Sequence, residues 1–169
     1  MAREHPWNRL LAWILDWLCI LVWVAVVAAV AVPLYLGGVL RDLGAVSENL
    51  LAFVLLIAPV TVALAWRESS RRQATPGKRL RRLVVTADEG RASYGRALLR
   101  NALKVGLPWE LGHTVAFTLA TGHGIVPVWI VPVAALTYAL PIVYVVMLFV
   151  GDGRTIYDRI AGTVVTLGD

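Results

Sequence analysis

The chain has 169 residues, of which 59% are hydrophobic and only 16% are charged. An ordinary soluble domain is about 45–50% apolar, so this composition disfavours a soluble domain and indicates an integral membrane protein. The formal net charge is +5, and Cys19 is the single cysteine. One cysteine excludes an internal disulfide framework and a cysteine-based metal cage.

Apolar segments long enough to cross a membrane dominate the chain. The three longest charge-free stretches are residues 17–40, 49–66 and 111–151. Each reaches the roughly 18 to 20 residues that cross about 30 Å of hydrocarbon as helix. We therefore predict an all-α membrane protein that forms a single domain over residues 1–169. The predicted transmembrane helices cover residues 10–33, 49–66, 101–121 and 126–150.

Basic residues define the predicted topology. Ten of the 16 Lys and Arg residues lie between residues 67 and 100, whereas the segment 121–128 has none. Loops rich in Lys and Arg stay in the cytoplasm. The loop 67–100 is therefore expected to be cytoplasmic, and four helices place both termini, with the tail 151–169, on that side.

The third predicted helix is the least regular. Lys104 and Glu110 interrupt its apolar character, and Pro108 with Gly112 would loosen it. The alternative is a re-entrant or interfacial segment. In that case the chain has three spans and its tail lies outside, against the charge of Arg154 and Arg159.

A repeat with an offset of 80 residues relates two segments outside the apolar runs. Residues 75–86 read TPGKRLRRLVVT, and residues 155–166 read TIYDRIAGTVVT. Each copy follows a pair of predicted helices, which indicates two tandem two-helix units that share one orientation. The short β-prone pieces, 83–87 and 163–167, should then lie close together on the cytoplasmic side. Chance similarity between two basic segments is the alternative.

One position of the repeat differs in charge. Lys78 in the first copy corresponds to Asp158 in the second, so these two side chains are candidates to bridge the units. The Pro76-Gly77-Lys78 turn lacks the spacing of a phosphate-binding P-loop. The basic loop is instead expected to contact anionic lipid headgroups, and no nucleic acid is expected as a partner.

Ionisable side chains within the predicted spans suggest a site. Asp16, Lys104, Glu110 and His113 lie inside apolar segments, where each ionisable group costs about 2.5–3.5 kcal/mol on insertion scales. Glu110 and His113 are neighbours at i, i+3 and can share a proton or one cation. The alternative is a buried polar network of these four residues that locks the helices together.

Several of these motifs together resemble the RDD family of small bacterial membrane proteins. The resemblance rests on the TPGKR turn, the GRALLRN run at 95–101 and the tail RTIYDRIAGTVV at 154–165. It implies that the arginine and two aspartates for which the family is named correspond to Arg9, Asp16 and Asp158. It also implies a bacterial inner-membrane location and transport, with sodium–proton exchange suggested for some members. The residues assigned to the family motif are Arg9, Asp16, Thr75, Pro76, Gly77, Lys78, Arg79 and Asp158.

These observations predict a small cation/proton antiporter. Asp16 and Glu110 would hold the proton or monovalent cation, and His113 would be the proton partner. Four helices enclose little room for an aqueous path, so the protein is expected to be a homo-oligomer. No enzyme motif, metal site or cofactor is expected. The alternative is a membrane scaffold that binds partners through its basic loop.

Overall fold

The computed structural model describes residues 6–40, 43–88, 90–122 and 124–168 and is mainly helical with one small sheet. The first half contains α1 (Pro6–Leu36), α2 (Ala45–Ala52), α3 (Ala58–Ser69), α4 (Pro76–Leu80), β1 (Leu83–Ala87) and β2 (Gly90–Arg91). The second half contains α5 (Tyr94–Asn101), α6 (Leu107–Thr121), α7 (Ile130–Phe149), α8 (Ile156–Ile160) and β3 (Thr163–Leu167). Short π-helical turns, Phe53–Ile57 and Ala102–Gly106, join α2 to α3 and α5 to α6.

Three helices are long and apolar enough to cross a membrane among the residues that the structure describes. They are Pro6–Leu36, Ala45–Ser69 and Ile130–Phe149. The long helical run 94–121, which contains Lys104 and Glu110, is not among them. The composition and these helices identify a membrane protein with a small sheet at one end.

The helices are offset from their predicted limits. The predicted spans 10–33, 49–66 and 101–121 begin too late, because the helical runs start at residues 6, 45 and 94. Pro6 is suited to a first helical turn, and the Ser93 side chain caps α5 by accepting a hydrogen bond from the N–H of Arg96. The predicted span 126–150 begins too early, since α7 starts only at Ile130.

Proline causes both π-helical turns. Pro59 and Pro108 each lie two residues after such a turn, and proline removes one backbone donor. Side chains of neighbouring helices donate hydrogen bonds to backbone carbonyls within both turns. Trp23 Nε1 donates to the Leu55 carbonyl at 3.0 Å, and Tyr144 Oη donates to the Leu103 carbonyl at 3.0 Å. These bonds connect α1 and α7 to the two distorted helices.

The sheet has the order β2-β1-β3, and both pairings are antiparallel. The predicted β-prone pieces, 83–87 and 163–167, are the strands β1 and β3, and their predicted proximity is confirmed. In this register Val85 faces Val165, so the pairing is centred on two equivalent positions of the repeat. Leu83, Val85 and Val165 form a buried cluster with Ala12 of α1.

The two copies of the repeat also have matching backbones. Thr75 and Thr155 both cap a short helix through their side chains. At the equivalent turns after these helices, Arg82 has φ 53° and Gly162 has φ 62°. Only glycine adopts this left-handed conformation without steric cost, so the first copy tolerates a strained arginine to keep the same turn. We call α4, β1, α8 and β3 the repeat layer.

The register of β1 and β3 predicts a specific crosslink. In a Cys19→Ser background, Val84→Cys paired with Thr166→Cys should crosslink efficiently on mild oxidation, because these residues face each other across the strands. The control pair, Val84→Cys with Val164→Cys, lies on a diagonal of about 7–8 Å and should crosslink poorly. Gel mobility measures both, and equal yields would contradict the register.

Candidate functional site

Asp16 connects α1 to the start of α4. Its carboxylate accepts hydrogen bonds from Thr75 Oγ1 at 2.6 Å and from the Gly77 N–H at 2.8 Å, and the side chain is buried. The helices approach so closely that a Cβ on Gly77 would lie 2.1 Å from the carbonyl oxygen of Ala12. Asp16 and Gly77 therefore hold the repeat layer directly against α1.

Both short helices of the repeat layer receive a carboxylate at the N-terminus, but from different sources. In the second copy, Thr155 and Asp158 form a capping box, in which Thr155 Oγ1 accepts from the Asp158 N–H at 3.4 Å and Asp158 Oδ2 accepts from the Thr155 N–H at 3.3 Å. In the first copy the equivalent position is Lys78, which has no acceptor. Asp16 of α1 supplies that carboxylate instead. The first copy is therefore hydrogen-bonded to α1 at the N-terminus of α4.

A chain of buried ion pairs runs through the same region. Glu68 Oε1 lies 2.5 Å from Lys78 Nζ, and Glu68 Oε2 lies 2.7 Å from Arg100 Nη1. Arg100 Nε reaches Asp158 Oδ1 at 2.8 Å, and Asp158 Oδ2 lies 2.6 Å from Arg9 Nη2. The predicted pair between Lys78 and Asp158 is therefore wrong, because Lys78 pairs with Glu68, whereas Asp158 pairs with Arg100 and Arg9.

The geometry of this chain meets the conditions under which buried charges are tolerated. Glu68 and Asp158 are fully buried, and Arg100 is 1% exposed. Such charges need close partners and additional hydrogen bonds. Asn101 Nδ2 donates a hydrogen bond to Glu68 Oε2 at 2.8 Å. Arg9 Nη1 donates a hydrogen bond to the Gly153 carbonyl. The result is a continuous polar connection between α1, α3, α4, α5 and α8.

Electrostatics keep Asp158 ionised. Burial alone raises the pKa of this carboxyl, but the guanidinium groups of Arg100 and Arg9 outweigh it and lower the pKa to about 2. The negative charge of Asp158 is therefore a permanent part of the site at physiological pH.

A cavity of about 330 Å³ lies next to this chain, between α1, the helical run 94–121, α7 and the repeat layer. Aromatic side chains form much of its wall, and they include Trp13, Trp17, Trp109 and Tyr144. Its basic lining residues are Arg9, Lys78, Arg100 and Lys104.

Lys104 differs from the other three basic residues. Within the described part of the chain, no acceptor lies within hydrogen-bond distance of its ammonium and no carboxylate within ion-pair distance. Lys104 is therefore the one basic lining residue of the cavity that has no partner among the described residues.

A separate polar cluster lies between α2 and α6. Asn49 Nδ2 donates to Glu110 Oε1 at 2.7 Å and to Thr114 Oγ1 at 3.1 Å. Three buried atoms of this region have no hydrogen-bond partner among the described residues: Asn49 Oδ1, Glu110 Oε2 and His113 Nδ1. The His113 ring packs between Trp109 and Phe117, with centroid distances of 5.8 and 5.5 Å.

The four sequence-predicted site residues separate into three places. Asp16 caps α4, Lys104 lines the cavity, and Glu110 lies beside Asn49 with His113 one turn away on α6. The alternative of a single network joining all four was wrong, because both Asp16 oxygens are occupied by Thr75 and Gly77. The family-motif residues Arg9 and Asp158 form an ion pair at 2.6 Å.

Sequence reasoning missed Glu68, Arg100 and Asn49 as site residues. Glu68 had a usable signal, because it is the only acidic residue between positions 67 and 87 and has seven basic residues around it. Arg100 lies just before a predicted span and was counted as part of a basic loop. Asn49 gives no sequence signal, since its role depends on the packing of α2 against α6.

The ion-pair chain predicts that Glu68 is critical for stability. Glu68→Gln leaves Lys78 and Arg100 buried without their shared anion, and breaking a buried pair costs about 3–5 kcal/mol. Thermal unfolding in detergent should therefore occur at a much lower temperature. The control is Asp152→Asn, which removes an exposed partner of Arg159 and should change little. Equal melting temperatures for the two variants would contradict the role of Glu68.

The comparison with known proteins agrees with the sequence motifs. The model of the RDD family matches residues 3–162. No curated protein and no solved structure matches the chain. The match covers almost the whole chain, so the protein belongs to the RDD family.

Proposed function

We propose that this member of the RDD family is a small membrane transporter for a proton or a monovalent cation, with Glu110 as the carboxylate that binds it. The observation that supports this proposal is the group of unpartnered atoms around Glu110. A buried polar atom without a partner costs about 1–3 kcal/mol. A bound ion or proton would relieve that cost for Glu110 Oε2 and Asn49 Oδ1.

The side chains of this cluster are chemically suited to bind a proton and a cation in turn. Carboxylate and amide oxygens are ligands for hard cations, and a protonated Glu110 can donate a hydrogen bond instead. His113 lies one helical turn from Glu110, with an unpartnered Nδ1 that can receive or release a proton. In this proposal, proton and cation occupy Glu110 alternately, and the chain catalyses no covalent reaction.

Asp16 and Lys104 have other roles in this proposal. Asp16 is a positioning residue, because its two oxygens already accept hydrogen bonds from Thr75 and Gly77. Lys104 lines the cavity, and as a cation it is not a ligand for a second cation. This assignment narrows the predicted ion site from four residues to Glu110 and His113, and adds Asn49.

The proposed topology has four spans in two tandem units, with both termini and the repeat layer in the cytoplasm of a bacterial inner membrane. The run 94–121 supports a fourth span, because a helix of this extent is about 40 Å long. The pairing of β1 with β3 supports a common side for the two copies. Homo-oligomers would complete the transport path.

A scaffold function is the second candidate. Exposed basic residues on and beside the repeat layer favour it, since Arg71, Arg72, Arg79 and Arg82 all face solvent. Such a surface suits anionic lipids or an acidic partner. Under this alternative no ion flux accompanies binding.

The decisive variant is Glu110→Gln, which keeps the shape of the side chain and removes its charge and titratable proton. We expect proteoliposomes with this variant to lose cation-dependent proton flux, measured with an enclosed pH-sensitive dye, without a change in melting temperature. Glu48→Gln removes the carboxylate that precedes Asn49 in α2; it is the matched control and should retain flux. Unchanged flux in Glu110→Gln would exclude Glu110 as the carrier, and no flux in the parent protein would favour the scaffold.

A further inference from the structure

The cavity beside the ion-pair chain has an unbalanced charge. Four basic side chains line it, and no acidic residue is found among the described residues of its wall. Three of the four, Arg9, Lys78 and Arg100, are paired with Glu68 or Asp158. Lys104 is the fourth, and among the described residues it has no partner.

The rest of the wall is aromatic and aliphatic. Trp17 and Trp109 are in contact with each other at a centroid distance of 5.4 Å, and Trp13 lies 6.0 Å from Trp17. Tyr144 closes the opposite side, fixed by its hydrogen bond to the Leu103 carbonyl. A ligand would therefore meet one cationic end and an extended apolar surface.

We propose that this cavity binds an organic anion that carries one carboxylate or phosphate group on an apolar body. The acidic group pairs with Lys104, and the apolar body packs against Trp17 and Trp109. This inference does not rest on the proposed ion site, because it concerns different residues and the opposite charge.

Charge and volume together select this class of ligand. Tryptophan faces attract cations, but the described wall has four basic residues and no acidic one, and this lining favours an anion over a cation. A volume of about 330 Å³ lies at the lower end of the range for small-molecule sites, about 300–1,000 Å³. A small organic anion fits entirely, whereas a two-chain lipid could insert only its headgroup and the adjoining carbons.

The apolar wall allows a direct binding assay. Bromine quenches tryptophan fluorescence on contact, so 6-bromohexanoate reports occupancy of the cavity in protein purified in neutral detergent. We expect saturable quenching that hexanoate reverses. Hexanol and hexyltrimethylammonium, which have the same apolar body without the negative charge, should not reverse it.

Three variants assign this binding to the cavity. Lys104→Met should weaken 6-bromohexanoate binding about tenfold or more, which is the effect expected for losing a charge-assisted hydrogen bond. Arg79→Met removes an exposed basic residue and should bind as the parent does. Val145→Trp keeps every charge and fills the cavity from α7, so it should also abolish saturable quenching.

The stability of the empty protein provides a second readout. Lys104→Met removes an unpaired charge and should melt at the same temperature as the parent or higher, while losing the stabilisation that hexanoate gives the parent. A lower melting temperature without ligand would mean that Lys104 has a structural partner, and would overturn the proposal.

The source of the anion is decided by competition. If phosphatidylglycerol displaces 6-bromohexanoate in mixed micelles and phosphatidylcholine does not, a lipid headgroup supplies the anion. If neither lipid competes while hexanoate does, the ligand is a free organic anion. Equal competition by hexanoate and hexanol, or equal binding by Lys104→Met and Arg79→Met, would overturn the site.

Discussion

Glu68 is the buried anion on which the arrangement of the other charges depends. It lies at the end of α3, has no exposed surface, and accepts hydrogen bonds from Lys78, Arg100 and Asn101. Arg100 also forms an ion pair with Asp158, and Asp158 forms a second ion pair with Arg9. Because an unpaired buried charge is far more costly than a paired one, each member of this chain restricts where its neighbours can lie. The helices at this end of the molecule are therefore positioned by charge as well as by apolar packing.

A single difference between the two repeat copies accounts for much of this arrangement. The second copy has Asp158 at the position where the first has Lys78, so only the second forms its own capping box. The first copy takes a carboxylate from α1, through Asp16, and directs Lys78 toward Glu68. The first copy thus binds to α1 through the hydrogen bonds of Asp16. The second copy binds to α1 through the Arg9–Asp158 ion pair. The cavity adjoins both attachments, because Lys78 and Arg9 are among its lining residues.

The sequence predicted those features that depend on local pattern. Apolar runs indicated the long helices, and the offset of 80 residues indicated that 83–87 and 163–167 lie together. The sequence did not predict that Glu68 and Arg100 belong to helices. Charged residues next to an apolar run are typical of a loop, and only the buried partners of these two show that the helices continue. It also grouped Asp16 with Glu110, since spacing along the chain does not show which neighbouring helix a side chain faces. The helix distortions were only partly predictable, because Pro108 indicates a lost hydrogen bond but not that Tyr144 uses the freed carbonyl of Leu103.

The central claim is that the buried ion-pair chain couples α1 to the repeat layer, and a double-mutant cycle on Arg9 and Asp158 tests it most directly. The free energy of unfolding would be measured in mixed micelles for Arg9→Met, Asp158→Asn, the double variant and the parent. We expect each single change to destabilise the protein and the double variant to be more stable than the sum predicts, by about 1–3 kcal/mol. Additive effects, within about 0.5 kcal/mol, would show that the two residues act independently and would contradict the account.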